Sequence, residues 1–301
     1  MLSITVGLFG LGVVYAIAFA TLHRAARCHL LDWAGLGYWE RRGESDMSAM
    51  DRFTLDGRVA VVTGGTRGLG EGFAGALADA GSTVMLVGRD ADRGRAVSRA
   101  LADRGATAGF TAADVTRHED VAHILQATVE AFGRVDILVN NAGACVHAPA
   151  LEVTDDDWRH VMDVNLDAVW DCARTFGRHF VDQRSGVIIN IGSMSGLVVN
   201  RPQWQPAYNA SKAAFHHLTR SLAAEWGPFG VRVNALAPGY IKTDMSPVDD
   251  PKFRRQWIED APLQRYGTVE ELAPAVVFLA SDASSFVTGS VLVADGGYTA
   301  F

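Results

Sequence analysis

Residues 58–81 read "RVAVVTGGTRGLGEGFAGALADAG". The first seven, "RVAVVTG", form a continuous apolar run that ends in glycine, the pattern of a strand buried on both faces of a parallel sheet. "LGEGFAGALADAG" (69–81) then places apolar residues at helical spacing and closes on a glycine. Between the two lies "TGGTRGLG" (63–70). Gly64, Gly68 and Gly70 allow a tight turn and a close approach of a pyrophosphate to the start of the helix. A glycine triplet alone says little, but between a strand and a helix it points to a dinucleotide site. The spacing here is G-x-x-x-G-x-G, wider than the usual fingerprint.

The same alternation continues to the C-terminus. Strands are expected at 83–89, 106–114, 135–143, 186–193, 231–238 and 290–297, with helices at 91–104, 117–132, about 155–182 and 206–227. Strict βα alternation with right-handed crossovers implies an α/β fold. It is a single doubly wound, Rossmann-type parallel sheet of about seven strands with helices on both faces.

The chain has 301 residues, 49% of them apolar, enough for a sizeable core. A net charge of −7 argues against a nucleic-acid partner. Cys28, Cys145 and Cys172 give neither a disulfide framework nor a zinc pattern, and no metal is expected. The catalytic part is expected in the reducing cytoplasm. Adjacent on a helix, His216 and His217 diverge and are expected at the surface or an interface.

Residues 1–49 stand apart from the catalytic unit at 50–301. Residues 2–22 carry no charge, and as a helix they would span about 31 Å, a bilayer core. Arg24 and Arg27 follow at once, so an N-terminal membrane anchor would leave the remainder cytoplasmic. The competing reading is a mis-assigned start, since Met47 and Met50 lie just before the first strand.

The second strand ends "LVGRD". A carboxylate there would hold the ribose 2′-OH of NAD, but Gly88 occupies the place and Arg89 follows. With Arg67 inside the glycine loop, two guanidinium groups favour a 2′-phosphate and hence NADP. Asp90, one place further on, keeps NAD open as the alternative.

"TGGTRGLG", Asp114, "NNAG" (140–143), Asn165, Ser193, "YNASK" (208–212) and "PGYIKT" (238–243) occur in that order. Over about residues 53–301 the chain resembles the short-chain dehydrogenase/reductase family. "GSMSGLVVNRPQ" (192–203) further resembles its polyol dehydrogenases, those acting on galactitol, threitol or arabinitol. The resemblance implies a catalytic tetrad of Asn165, Ser193, Tyr208 and Lys212, with Ser195 competing for the role of the serine. It implies cofactor contacts from Gly64, Thr66, Arg67, Gly68, Leu69, Gly70, Arg89, Asp114, Val115, Asn141, Ala142, Gly143, Tyr208, Lys212, Pro238, Gly239, Ile241 and Thr243. It also implies a mobile substrate lid at 244–267 and a homotetramer.

Alcohol oxidation needs a base, and free tyrosine, with a pKa near 10, is a poor one. Lowering it by ~3 units takes ~4 kcal/mol of preferential phenolate stabilisation. Tyr208 and Lys212, four apart, share a helix face, so the ammonium is expected beside the phenol. The chain holds only three lysines, Lys212, Lys242 and Lys252, which makes this one conspicuous. Asn200 and Gln203 in "NRPQWQP" (200–206), with Ser193, Ser195 and Tyr208, are the expected substrate contacts. Trp204 is expected either to wall that pocket or to pack at an interface. The expected partner is a small alcohol or ketone, with polyols and sugars first. A 3-oxoacyl thioester, a lipid or steroid alcohol if residues 2–22 are an anchor, and a non-catalytic NADP sensor are the alternatives.

Overall fold

A computed structural model describes residues 48–243 and 246–301. The apolar stretch 2–22 lies outside the described residues. Among the described residues no helix is long and apolar enough to cross a membrane.

Seven parallel strands form one sheet in the order β3-β2-β1-β4-β5-β6-β7. They are β1 (Val59–Thr63), β2 (Thr83–Gly88), β3 (Ala108–Ala112), β4 (Ile137–Asn140), β5 (Gly186–Ile191), β6 (Val231–Pro238) and β7 (Val291–Ala294). Val61 pairs with Met85 on one side and Leu138 on the other, so β1 is central. The chain winds from β1 out to β3 and returns beside β1 as β4. That reversal opens a crevice at the C-terminal ends of the strands, where α/β sheets bind ligands.

The main helices are α1 (Gly68–Asp79), α2 (Ala91–Asp103), α3 (His118–Phe132), α4 (Asp155–Met162), α5 (Ala168–Asp182), α6 (Pro206–Trp226) and α7 (Val269–Ala280). Strand side chains alternate between two cores, as a period of two requires. Ala60, Val62, Leu86 and Val139 pack with Phe73, Leu77, Val97, Leu272 and Val276 from α1, α2 and α7. Val61, Met85, Leu138 and Ile188 pack with Val121, Ile124, Phe176, Phe180 and Leu222 from α3, α5 and α6.

Two elements differ from the sequence reading. The helix expected at 155–182 is broken by a π-helical segment, Asp163–Asp167, which separates α4 from α5. Helix α7 was not foreseen; a reciprocal capping box between Thr268 and Glu271 starts it.

Candidate functional site

A cavity of about 730 Å³ opens along the C-terminal edge of the sheet, from Gly64 at one end to Trp257 at the other. Gly64 and Gly68 adopt positive φ (+61° and +53°), which only glycine takes without strain. A Cβ on Gly70 would collide with the Gly64 carbonyl oxygen. The "NNAG" segment straps this turn down. Asn141 Nδ2 donates to the Thr63 and Gly64 carbonyls (3.0 and 3.1 Å), and the Asn141 and Ala142 amides both donate to Thr63 Oγ1. Thr243 lies over Gly68 from the far side, and Ile241 is fixed by a bridge to Gly267. Thr66, Leu69, Val115, Gly143, Pro238 and Gly239 also line the cavity.

No carboxylate closes β2. Gly88 sits so tightly against Thr66 that a Cβ would lie 3.0 Å from its methyl. Arg67 and Arg89 line this end, joined by Arg93, which sequence reading missed. Arg93 Nε donates to the Thr66 carbonyl (2.8 Å). Asp90 is engaged as the N-cap of α2, accepting from Arg93 N (3.0 Å). Asp114 accepts from Thr116 N and Oγ1, and its carboxylate lies 3.8 Å from Arg89. These residues fit a nucleotide with a 2′-phosphate: a close-approach glycine turn, three guanidinium groups and an acidic acceptor at the rim.

At the opposite end β5 delivers Ser193, which caps the short turn Met194–Gly196 by accepting from Ser195 N (3.1 Å). Ser193 also faces the Tyr208 hydroxyl across the cavity. Lys212, 4% exposed, donates to the Ile191 carbonyl (2.8 Å) and lies over the Tyr208 and Phe215 ring faces. The ammonium is therefore held by the backbone beneath the ring rather than at the phenol oxygen. Burial, with Cys145 beside it, pushes the Tyr208 phenol up to about 12, and the Ser193 hydroxyl offsets only part of this. Burial takes Lys212 down to about 8.

Asn165 sits in the π-helical segment, a common feature of functional sites. It is fully buried, accepting from Ala144 N (2.8 Å) and donating to Ala144 O and Ser211 Oγ. It thereby locks the backbone that follows "NNAG".

The third wall is polar and aromatic. Asn200 and Gln203 both donate to the Tyr240 hydroxyl (3.1 and 3.4 Å), and Trp257 Nε1 donates to Gln203 Oε1 (2.8 Å). Trp257 stacks between Phe253 and Tyr240 at ring separations of 4.0 and 4.3 Å. Cys145, His147, Gln205, Tyr240 and Trp257 line the cavity without having been singled out in the sequence. Cys145 and His147 follow "NNAG" directly, which was signal enough. Trp204 projects to solvent and does not line the cavity.

His216 departs from its expected place at the surface. It is 2% exposed, against Gly192, and its ring nitrogens lack partners. Burial, then the Lys212 and Arg220 charges, take it down to about 4. A depressed imidazole leaves the fold binding fewer protons than the unfolded chain, so stability falls as pH drops from about 6.5 to about 4, by up to about 3 kcal/mol. In urea titrations His216→Leu should lose less stability than wild type between pH 7.5 and pH 4.5. Equal losses would contradict this.

The family model described as Enoyl-(Acyl carrier protein) reductase matches residues 64–299. Galactitol 2-dehydrogenase of Rhizobium johnstonii is 47% identical over 256 residues, covering 84% of this chain and 99% of that protein. A solved short-chain type dehydrogenase/reductase from Mycobacterium marinum superposes with a TM-score of 0.81 at 38% identity, covering 84% and 99% of the two chains. A gluconate 5-dehydrogenase from Burkholderia cenocepacia J2315, solved in complex with NADP and tartrate, gives 0.81 at 38% identity, covering 84% and 100%. With its strand order, glycine turn and Ser193–Tyr208–Lys212 cluster, the chain is an oxidoreductase that belongs to the short-chain dehydrogenase/reductase family.

Proposed function

We propose that the protein interconverts a secondary alcohol and a ketone on a polyol or sugar, with NADP as cofactor and NAD as the weaker alternative. One observation carries this reading. A single cavity joins an arginine-rich nucleotide end, the Ser193–Tyr208 pair and a wall of side-chain amides. The similarity to a galactitol 2-dehydrogenase and to a structure holding NADP supports it.

Gly64–Gly70, Asn141–Gly143, Pro238–Thr243 and the arginines would hold the cofactor, whose nicotinamide supplies the hydride acceptor or donor when bound. Tyr208 gives up a proton to the substrate oxygen in reduction and takes one in oxidation. Its raised pKa keeps the phenol protonated through the neutral range, which suits it as an acid. Ser193 donates to the same substrate oxygen and stabilises developing negative charge. Lys212, fixed at the Ile191 carbonyl, brings a positive charge beneath the tyrosine ring, which favours phenolate when the base is needed. Asn165 holds the Ala144 backbone that floors the site.

Asn200, Gln203 and the Tyr240 hydroxyl offer several donors and acceptors, as a chain of hydroxyls requires. The similarity to a galactitol 2-dehydrogenase supports this class over a 3-oxoacyl thioester. The test is kcat/KM for C4–C6 polyols and ketoses against a 3-oxoacyl thioester; preference for the thioester would overturn the substrate class.

We take residues 50–301 as the catalytic domain, acting in the cytoplasm. Trp158 on α4 and Trp170 on α5 each stay 43% exposed. Large aromatic surface left open on these helices supports pairing across a two-fold axis into a homotetramer. A monomer by light scattering at micromolar concentration would contradict this.

A further inference from the structure

Trp257 lines the cavity at the end away from the glycine turn and is 3% exposed. It stands in the short helical stretch Arg254–Glu259. Its ring offers no free face to a substrate. Phe253 covers one side and Tyr240 the other, nearly parallel to it at interplanar angles of 7° and 11°. Tyr298 stands edge-on to Tyr240 at 5.4 Å, and Val248 and Ile258 pack into the same cluster. A ring clamped in this way has one direction left for its N–H.

That N–H points at Gln203 Oε1, 2.8 Å away. The direction of this bond is fixed by chemistry. An indole nitrogen only donates, and of the two ends of a side-chain amide only the oxygen accepts. A reversed amide would set NH2 against N–H, donor against donor. The Gln203 NH2 is therefore turned away from Trp257, and its neighbour there is the Tyr240 hydroxyl at 3.4 Å. That contact is long, and the Tyr240 oxygen already accepts from Asn200 Nδ2 at 3.1 Å. The Gln203 NH2 is thus weakly held, on a residue that lines the cavity.

We infer that Trp257 is a positioning residue that sets substrate specificity: its N–H holds the Gln203 oxygen, and so presents the Gln203 NH2 as a donor to a substrate hydroxyl oxygen. This rests on the polyol or sugar reading of the cavity. An amide free to turn would offer oxygen and nitrogen in turn, and would hold that hydroxyl for less of the time. The reacting carbon, placed at Ser193 and Tyr208, is not touched by this link, so the effect falls on binding.

Trp257→Phe in the full chain keeps an aromatic ring between Phe253 and Tyr240 and removes the N–H. It should raise KM for the best ketose of the C4–C6 panel by roughly 3–10-fold, the worth of one neutral hydrogen bond. The changes in kcat and in NADP affinity should be much smaller. Gln203→Met, which keeps the length of the side chain and loses the amide, should raise KM by a similar factor. In the Gln203→Met background Trp257→Phe should add little further loss, because the link is already cut. An unchanged KM in Gln203→Met, a Trp257→Phe loss confined to kcat, or additive losses in the double variant would overturn the inference. Trp257 would then be a packing residue of the aromatic cluster. The wild type separates the two claims. Preference for a 3-oxoacyl thioester over every ketose overturns the polyol or sugar reading and this inference with it. Additive losses in a protein that prefers ketoses overturn the inference alone.

Discussion

Tyr208→Phe is expected to lower kcat by roughly 10²–10⁴-fold in both directions, the usual worth of a positioned acid–base group. The ring remains, and with it the face on which Lys212 rests. Only the hydroxyl that faces Ser193 is lost. Cofactor affinity should change little, because the glycine turn, the "NNAG" strap and the arginines lie at the other end of the cavity. The pairing of collapsed turnover with intact NADP binding is the signature. Near-wild-type turnover in the purified variant would remove Tyr208 from the chemistry.

The second large effect concerns the cofactor. Hydrogen bonds to charged groups contribute about 1.5–3 kcal/mol each. Arg67 and Arg89 facing a 2′-phosphate should therefore give a preference for NADP of about 10²-fold or more in kcat/KM. Arg67→Ala with Arg89→Asp should reverse that preference toward NAD. The reversal should come mainly from loss with NADP, since the guanidinium groups that would face the 2′-phosphate are removed. Equal kcat/KM for NAD and NADP in the wild-type protein would show that the arginines are solvated surface groups.

Much of the scaffold is legible in residues 58–64 and their repeats, because a strand buried on both faces must be apolar throughout. β1, β4 and β5 meet that requirement, being buried along their whole length. Tyr208, Lys212 and Ser193 are legible through spacing, and the fold brings them to one end of the cavity. What spacing cannot supply is the direction of a side chain. Lys212 turns to the Ile191 carbonyl, a direction that its place four residues after Tyr208 does not fix.

Gln205 stands in the loop from which Asn200 and Gln203 were chosen, yet nothing in the local pattern marks it as buried. Tyr240, just after β6, and Trp257 are brought together across seventeen residues, which no local pattern links. The π-helical segment at 163–167 reads as ordinary helix, since one extra residue in a turn leaves the apolar period almost unchanged. His216 was placed outside because adjacent histidines diverge; one of the pair had to point inward, behind Lys212.

The central claim is that this cavity removes a hydride and a proton from a polyol carbinol. The most direct measurement supplies purified protein with NADP and the best polyol of the C4–C6 panel, deuterated at its carbinol carbons. The reduced nicotinamide is then analysed by mass spectrometry. The account predicts that absorbance of the reduced cofactor grows and that the cofactor carries one deuterium. Unlabelled reduced cofactor, or no reduction with any polyol while another alcohol class turns over, would contradict it.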